Sequence, residues 1–235
     1  MKILAIDSSA LVASVAVCED EAVLAEYTVN NGNTHSETLL PMVENMLNTL
    51  SMKAKDIDVF AVSEGPGSFT GVRIGVSTVK GLAFGSGKPC VGVSTLEALA
   101  NNIKSCKGII CPVMNARHSQ LYTAVFSSNG ETLTRLLPDS ALSVSELDEL
   151  LSTYEESVYL CGDGYDIAVE AFEKTEVAFV PNRLRLQSAA SVATVALEKY
   201  NSGESVTDTQ LGVTYLRPSQ AERERAEREE KGLQN

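Results

Sequence analysis

The sequence lacks tryptophan altogether, has only two histidines, and contains five cysteines that form no C-x-x-C pair. Scattered cysteines in odd number provide neither the ligand spacing of a zinc site nor a complete set of disulfides. We therefore expect reduced thiols, as in a cytoplasmic protein. We also expect the purified chain to carry no stoichiometric zinc or iron.

Basic residues and long apolar runs are also scarce. The chain has 19 lysines and arginines against 31 acidic residues, and its formal net charge of -12 repels a phosphate backbone. No apolar run approaches the roughly 20 residues that cross a bilayer, and Asp7 interrupts the apolar start that a signal peptide needs. The composition predicts a soluble, unprocessed chain with no membrane contact, which reaches RNA only through a partner.

Motifs of the common enzyme classes are missing as well. The glycine-rich segment 65–71 lacks the lysine and the serine or threonine of a Walker A loop, and no G-x-S-x-G sequence marks a hydrolase. His35 lies on the first turn of a predicted helix, but position i+4 is Leu39, and the other histidine, His118, is distant in sequence. A two-histidine metal site on this helix is therefore excluded, and we expect His35 to be a capping or interface residue.

Hydrophobic patterning, in contrast, predicts one order of elements twice. Three antiparallel strands open each half, at residues 2–7, 13–18, 22–29, 108–114, 121–126 and 132–137. Helices and strands then alternate, with helices from residue 34, from about residue 69, and at 95–102, 143–154, 167–173 and 189–200. This doubling is typical of the actin-like (ASKHA, ribonuclease H-like) α/β fold, in which two domains each have a mixed sheet flanked by helices.

The domain limits follow from the same pattern. We assign residues 1–104 to the first domain and residues 105–205 to a smaller second domain. Residues 206–235 form a C-terminal segment and a charged helical tail, which could return to the first domain.

Two turns are weak candidates for binding a nucleotide phosphate. Asp7, Ser8 and Ser9 end the first strand, where actin-like ATPases place a carboxylate and a small polar turn. Gly65 and Gly67 follow a strand and open a helix, from which backbone amides could bind an anion. Ordinary turn formation and close helix packing explain both segments too, and we favour those interpretations.

The first helix has more apolar residues than one stripe requires. Thr34, with Glu37 three residues later, predicts a capping box at its start. An apolar stripe runs through Leu39, Val43, Met46, Leu47 and Leu50, whereas Leu40 and Met42 are predicted to lie off it. Those two side chains need another surface.

The second helix combines small and branched residues. Gly71 and Gly75 have the G-x-x-x-G spacing that lets a helix approach a neighbouring helix, and Val72, Val76 and Val79 accompany them. Packing of both helices on their own sheet is the alternative.

Several of these segments have a further significance when taken together. The stretches are 3–9 (ILAIDSS), 34–37 (THSE), 65–75 (GPGSFTGVRIG), 80–83 (KGLA), 95–99 (TLEAL), 115–117 (NAR) and 215–223 (YLRPSQAER). They resemble the TsaB family over nearly the whole chain, and the glycine-rich segment and the tyrosine-to-arginine run are the most diagnostic. One departure is Asn115 with His118, where the family more often has Asp-Ala-Arg-Arg.

The resemblance implies an accessory subunit without catalytic residues. Its partners would be TsaD, the catalytic homologue, and TsaE, an ATPase; the complex transfers threonylcarbamoyl from its adenylate to N6 of the adenosine next to the anticodon of ANN-reading tRNAs. The subunit would have no cofactor of its own, with ATP or ADP considered only at the partner interface. An actin-like ATPase or small-molecule kinase is the alternative function.

The resemblance also places TsaD on the two helices, where a free chain could pair with itself. The predicted interface residues are His35, Leu40, Met42, Met46, Gly71, Val72, Gly75, Val76 and Val79. Met42→Glu or Val76→Glu is then expected to break association and leave the monomer folded.

Overall fold

A computed structural model describes residues 1–32, 34–117 and 119–217. The elements in chain order are β1 Lys2–Asp7, β2 Ala13–Glu19, β3 Ala22–Val29, α1 His35–Thr49, β4 Val59–Gly65, α2 Phe69–Ser86, β5 Cys90–Ser94, α3 Thr95–Asn101, β6 Gly108–Asn115, β7 Gln120–Ser128, β8 Leu133–Ser143, α4 Val144–Leu151, β9 Val158–Cys161, α5 Tyr165–Ala171, β10 Val177–Ala178 and α6 Ala189–Asn201. None of the helices in these ranges combines the length and apolar character that crossing a bilayer requires.

The strands form two five-stranded sheets of the same topology, with the orders β3-β2-β1-β4-β5 and β8-β7-β6-β9-β10. In each sheet the first three strands are antiparallel, and the two that follow are parallel to the first. The predicted duplication is confirmed, and the fold is actin-like, with two mixed sheets flanked by helices.

Both faces of the central strand β1 are covered, which explains its four consecutive apolar residues, 3–6. Leu4 and Ile6 contribute to the core under α1 and α2, whereas Ile3 and Ala5 contribute to the core under α6. Successive side chains of a strand point to opposite faces, so a strand with helices on both sides has no solvent face to keep polar.

The last helix of each half lies between the two sheets. Leu96 and Leu99 of α3 pack against the second sheet, and Val192 and Ala196 of α6 pack against the first. The predicted second domain, residues 105–205, therefore differs from the observed packing, because α6 lies on the sheet of the first domain. Hydrophobic periodicity predicts that this helix has an apolar face, but it does not predict which of the two sheets that face packs against.

The chain then continues along the first domain. Val206 exchanges two backbone hydrogen bonds with Cys90, each of 2.8 Å. Leu211 is buried in the core under α1 and α2, and the Lys80 ammonium donates to its carbonyl oxygen at 3.0 Å. The charged helix predicted over residues 221–231 lies outside the described residues.

The helix α1 begins where it was predicted, but the predicted capping box at its start does not form. Thr34 is the N-cap of α1 and makes no side-chain capping bond; its Oγ1 instead accepts from the Ser36 hydroxyl at 3.5 Å. At α4 the capping box forms: Ser143 Oγ accepts from the Glu146 N–H at 3.2 Å, and the Glu146 carboxylate accepts from the Ser143 N–H at 2.8 Å. The S/T-x-x-E pattern therefore marks the start of both helices, but the capping hydrogen bonds form only at α4.

The predicted separation of Leu40 and Met42 from the core is half right. Leu40 is 56% exposed, as expected, but Met42 is only 8% exposed and belongs to the core under α1 and α2. A helix lying on a sheet buries a stripe at least about 100° wide, and that stripe includes position i+3 from Leu39.

Most of the predicted interface side chains also face the interior of their own domain. Met46, Val72, Val76 and Val79 are all buried in the core shared by the two helices and the first sheet. A charge at Val76 or Met42 would therefore be buried, so we now expect Val76→Glu and Met42→Glu to destabilise the monomer instead of leaving it folded.

A matched pair of variants tests this burial. We expect Met42→Glu to lower the free energy of unfolding by about 3–5 kcal/mol, because it places an unpaired charge in an apolar core. Leu40→Glu, two residues away on an exposed position, should change it by no more than about 0.5 kcal/mol. Urea unfolding of both full-length variants measures the difference; equal midpoints would contradict the assignment of Met42 to the core.

Candidate functional site

Asp7 is fully buried at the end of β1, and the chain around it satisfies its carboxylate. Oδ1 accepts from the Ser9 N–H at 2.9 Å and from the Ser9 hydroxyl at 2.6 Å, and Oδ2 accepts from the Ser63 hydroxyl at 2.6 Å. Burial raises the pKa of the carboxyl above its usual range, although the hydrogen bonds from Ser63 and Ser9 act in the opposite direction. The Asp7 carboxylate thus holds the turn and the neighbouring strand β4 together.

The glycine-rich segment packs directly on this turn. The Ser68 N–H donates to the Ser9 carbonyl at 2.6 Å, and the Ser8 hydroxyl donates to the Gly71 carbonyl at 2.9 Å. A Cβ at Gly67 would overlap the Ser9 carbonyl oxygen, and a Cβ at Gly71 would overlap that of Ser8. The glycines are therefore required because backbone meets backbone here.

The contact between the serine turn and the glycine-rich segment bears on whether the predicted residues could bind a phosphate. The structure brings the serine turn and the glycine-rich segment together, but carbonyl oxygens of the turn lie against the segment that would have to cradle an anion. A carbonyl oxygen repels a phosphate oxygen, and the contact leaves no space between the two segments. Gly65, the remaining candidate, is approached by the carbonyl oxygen of Thr214. The backbone therefore leaves no room for a nucleotide phosphate between these two segments.

Gly71 and Gly75 have a different partner from the one that their spacing predicted. A Cβ at Gly75 would come within 2.5 Å of the Ser8 hydroxyl oxygen, so the G-x-x-x-G spacing accommodates the serine turn. From α1, the His35 ring comes near as well, and its Cδ2 would lie 3.3 Å from a Cβ at Gly71. The small residues thus serve helix-to-turn packing inside the domain.

His35 is held by its own chain. Its Nε2 donates to the Ala10 carbonyl oxygen at 2.6 Å, so the turn after β1 is tied to the start of α1. Leu39, one turn later, is buried in the core and offers no ligand. Throughout the described part of the chain, no group of three or more His, Cys, Asp or Glu side chains is arranged to hold a metal ion.

The second domain repeats this geometry at the equivalent turns. Asn115 ends β6 as Asp7 ends β1, and its N–H donates to the Asp163 carboxylate at 3.3 Å. Burial raises the pKa of the Asp163 carboxyl, the Asn115 bond opposes this, and the negative charge of Asp7 raises it further. The charge of the buried Asp7 carboxyl therefore acts on the half-buried Asp163 carboxyl of the other domain. Gly162, Asp163 and Gly164 form the turn between β9 and α5.

The C-terminal segment connects the two sets of turns. The Thr214 N–H donates to the Glu64 carbonyl at 2.8 Å, and the Tyr215 ring stacks on Phe69 with centroids 4.7 Å apart. Two residues on, Arg217 Nη1 donates to the Ala116 carbonyl at 3.2 Å in the second domain. The segment therefore crosses from one domain to the other.

Sequence reasoning did not find this bridge or its other participant, Arg73. The Arg73 Nε donates to the Tyr215 hydroxyl at 2.6 Å, and its guanidinium lies 3.7 Å from the centroid of the Phe69 ring. The tyrosine-to-arginine run was recognised as diagnostic, but nothing in a single sequence states that residues 142 positions apart meet.

The close approach of Gly71 to Ser8 gives a second pair of variants. Gly71→Ala should lower the free energy of unfolding by about 1–3 kcal/mol, because the new methyl group must displace a backbone carbonyl. Gly81→Ala lies in the same helix with no atom within 4 Å of the added Cβ, so it should raise stability by about 0.5–1 kcal/mol through helix propensity. Thermal melting of both variants measures this; stabilisation by Gly71→Ala would show that the turn does not abut the helix.

Comparison with known proteins gives the family. The family model described as TsaD, tRNA N6-adenosine threonylcarbamoyltransferase, matches residues 23–227. A Bacillus subtilis (strain 168) protein named tRNA threonylcarbamoyladenosine biosynthesis protein TsaB is 36% identical over 162 residues, which are 69% of this chain and 71% of the relative. The Escherichia coli (strain K12) protein of the same name is 28% identical over 220 residues, 92% of this chain and 95% of the relative.

Solved structures agree with the sequence comparison. A Pseudomonas aeruginosa crystal structure, described as an uncharacterized protein with similarity to peptidase YEAZ, superposes with a TM-score of 0.78 at 25% identity. The superposition covers 92% of this chain and 99% of that one, so it includes both domains. The chain belongs to the TsaB (YeaZ) family, named for tRNA threonylcarbamoyladenosine biosynthesis, within the wider family of the TsaD model.

Proposed function

We propose that this chain is a non-catalytic partner subunit of a cytoplasmic tRNA threonylcarbamoyl transferase complex. It binds a TsaD-type catalytic subunit and works with a TsaE-type ATPase. The complex transfers threonylcarbamoyl from threonylcarbamoyl-AMP to N6 of the adenosine next to the anticodon in ANN-reading tRNAs. The proposal joins the family membership to the geometry of the first domain.

One observation carries the non-catalytic part of the proposal. The Ser8 and Ser9 carbonyls pack against the glycine-rich segment at the position where an actin-like ATPase would need an anion cradle. Asp7, the only carboxylate in that turn, already accepts three hydrogen bonds from serines. An actin-like ATPase or kinase, the alternative function, would have to separate these groups before it could hold a phosphate.

The exposed side of the two helices supports the partner role. Leu40 on α1 is 56% exposed and Phe84 on α2 is 79% exposed, and both helices cover the same face of the first sheet. Large apolar side chains that remain in solvent mark an interaction surface when they form one contiguous patch, and we infer such a patch on the outer side of these two helices. The other predicted interface residues act indirectly. The core beneath the two helices holds them in place through Met42, Met46, Val72, Val76 and Val79, and His35 fixes the start of α1.

A homodimer of the free chain would use the same surface, because an apolar face without its partner is most simply covered by a second copy. No nucleotide of its own is required for this role, and tRNA is reached mainly through the catalytic subunit.

Exposed and matched substitutions test the partner surface. With a co-expressed TsaD-type subunit, we expect Phe84→Glu to weaken association at least about tenfold, since loss of an aromatic anchor costs about 2 kcal/mol or more. Leu40→Glu should weaken it in the same direction. Leu136→Glu, at a position 46% exposed on β8 in the second domain, is the control and should leave binding unchanged.

Pull-down and gel filtration of the full-length chains give the readout. The proposal is supported if the wild-type chain and Leu136→Glu bind the TsaD-type subunit equally and the two helix variants bind it more weakly. Absence of a complex with the wild-type chain would contradict the partner role, and equal binding by all variants would move the surface elsewhere.

A further inference from the structure

The bridge between the domains concentrates positive charge on a strongly acidic protein. Arg73, Arg117 and Arg217 lie along it, although the chain has a formal net charge of -12. Within the ranges that the structure describes, none of the three forms an ion pair, whereas Arg135 is paired with both Glu97 and Asp139. No carboxylate in that part of the chain neutralises them.

Contacts within the bridge hold two of these guanidiniums in place. The Arg73 guanidinium carbon lies over the Phe69 ring, 3.7 Å from its centroid, and Nε donates to the Tyr215 hydroxyl. Arg217 donates through Nη1 to the Ala116 carbonyl oxygen. Each contact uses one of the five N–H donors of a guanidinium, so four remain on each side chain.

Arg117 is placed by its backbone. Its φ of 62° is in the left-handed region, and the Asn115 side-chain oxygen accepts from its N–H at 2.8 Å. This turn keeps Arg117 directly after Ala116, which Arg217 contacts, and its side chain is exposed. The three arginines thus follow a continuous set of contacts from α2, through Tyr215, to the turn after β6.

We propose that Arg73, Arg117 and Arg217 form a contact surface for the phosphate backbone of RNA. The inference rests on the proposed function, which brings an RNA substrate beside this chain. Guanidinium groups with fixed planes and several free donors bind phosphate oxygens by paired hydrogen bonds. Such contacts position a nucleic acid and do not read its sequence.

The net charge limits what this surface contributes. A chain of formal charge -12 repels RNA at long range, so the arginines add a local contact to an RNA that the catalytic subunit also holds. Each phosphate contact still has a measurable signature, because binding then releases counterions and depends more steeply on salt.

The test uses a fluorescein-labelled unmodified tRNA transcript and the full-length chain, both alone and in complex with its TsaD-type partner. Fluorescence anisotropy over a series of salt concentrations gives the affinity and its salt dependence. Arg117→Gln and Arg73→Gln should each weaken RNA binding several-fold and lower the slope of log K against log salt by about one. Arg183→Gln removes the same charge from an exposed position in the second domain and should change neither quantity.

Arg117→Gln is the more informative variant, because the Arg117 side chain supports no other contact in the described residues. Unchanged affinity and slope in Arg117→Gln and Arg73→Gln would overturn the proposal, as would an equal loss in Arg183→Gln. Equal competition by poly-L-glutamate at matched charge would assign the arginines to a carboxylate ligand and overturn it as well.

Failure here is distinguishable from failure of the proposed function. An intact complex on gel filtration with unaltered RNA binding contradicts only the arginine surface. A chain that forms no complex contradicts the partner role, while its own RNA binding at low salt still tests the arginines.

Discussion

The contact between the turn after β1 and the start of α2 is the constraint on which the rest of the first domain depends. Ser8 and Ser9 present backbone oxygens and a hydroxyl to the helix, and only residues without a Cβ at Gly67 and Gly71 allow that approach. Asp7 fixes the turn from inside through its serine partners. With the turn in this place, α2 lies on the sheet and its outer side faces solvent.

The same constraint is the physical basis of the proposed non-catalytic role. The strand, the carboxylate and the glycine-rich segment all remain, but their polar groups are directed at one another. Hydrogen bonds inside the protein then satisfy these buried polar groups. The second domain keeps the equivalent turns, and the C-terminal segment joins both sets through Thr214, Tyr215 and Arg217.

Much of the fold could be predicted from the sequence because local patterns determine it. Alternating and continuous apolar runs gave the strands, and the duplicated order gave the architecture. The Ser143 capping box is likewise a local pattern, because its two partners are three residues apart. Thr34 has the same pattern, yet its hydroxyl accepts from Ser36 instead, a competition that the pattern does not include.

Features that depend on distant residues could not be predicted. Met42 is buried because the width of the sheet, and not the helix alone, determines how much of α1 is covered. Gly71 and Gly75 were correctly seen as sites of close approach, but their spacing does not say whether a helix or a turn approaches. Tertiary structure likewise determines that α6 packs on the first sheet and that Arg73 meets Tyr215.

The central claim is that the first domain fills its own phosphate position. Isothermal titration of the isolated full-length chain with magnesium ATP tests it most directly. The account predicts no saturable binding up to about 1 mM nucleotide, a limit that corresponds to roughly -4 kcal/mol. Saturable binding of one ATP per chain, lost on substitution of Asp7 by alanine in a variant that still melts cooperatively, would contradict it.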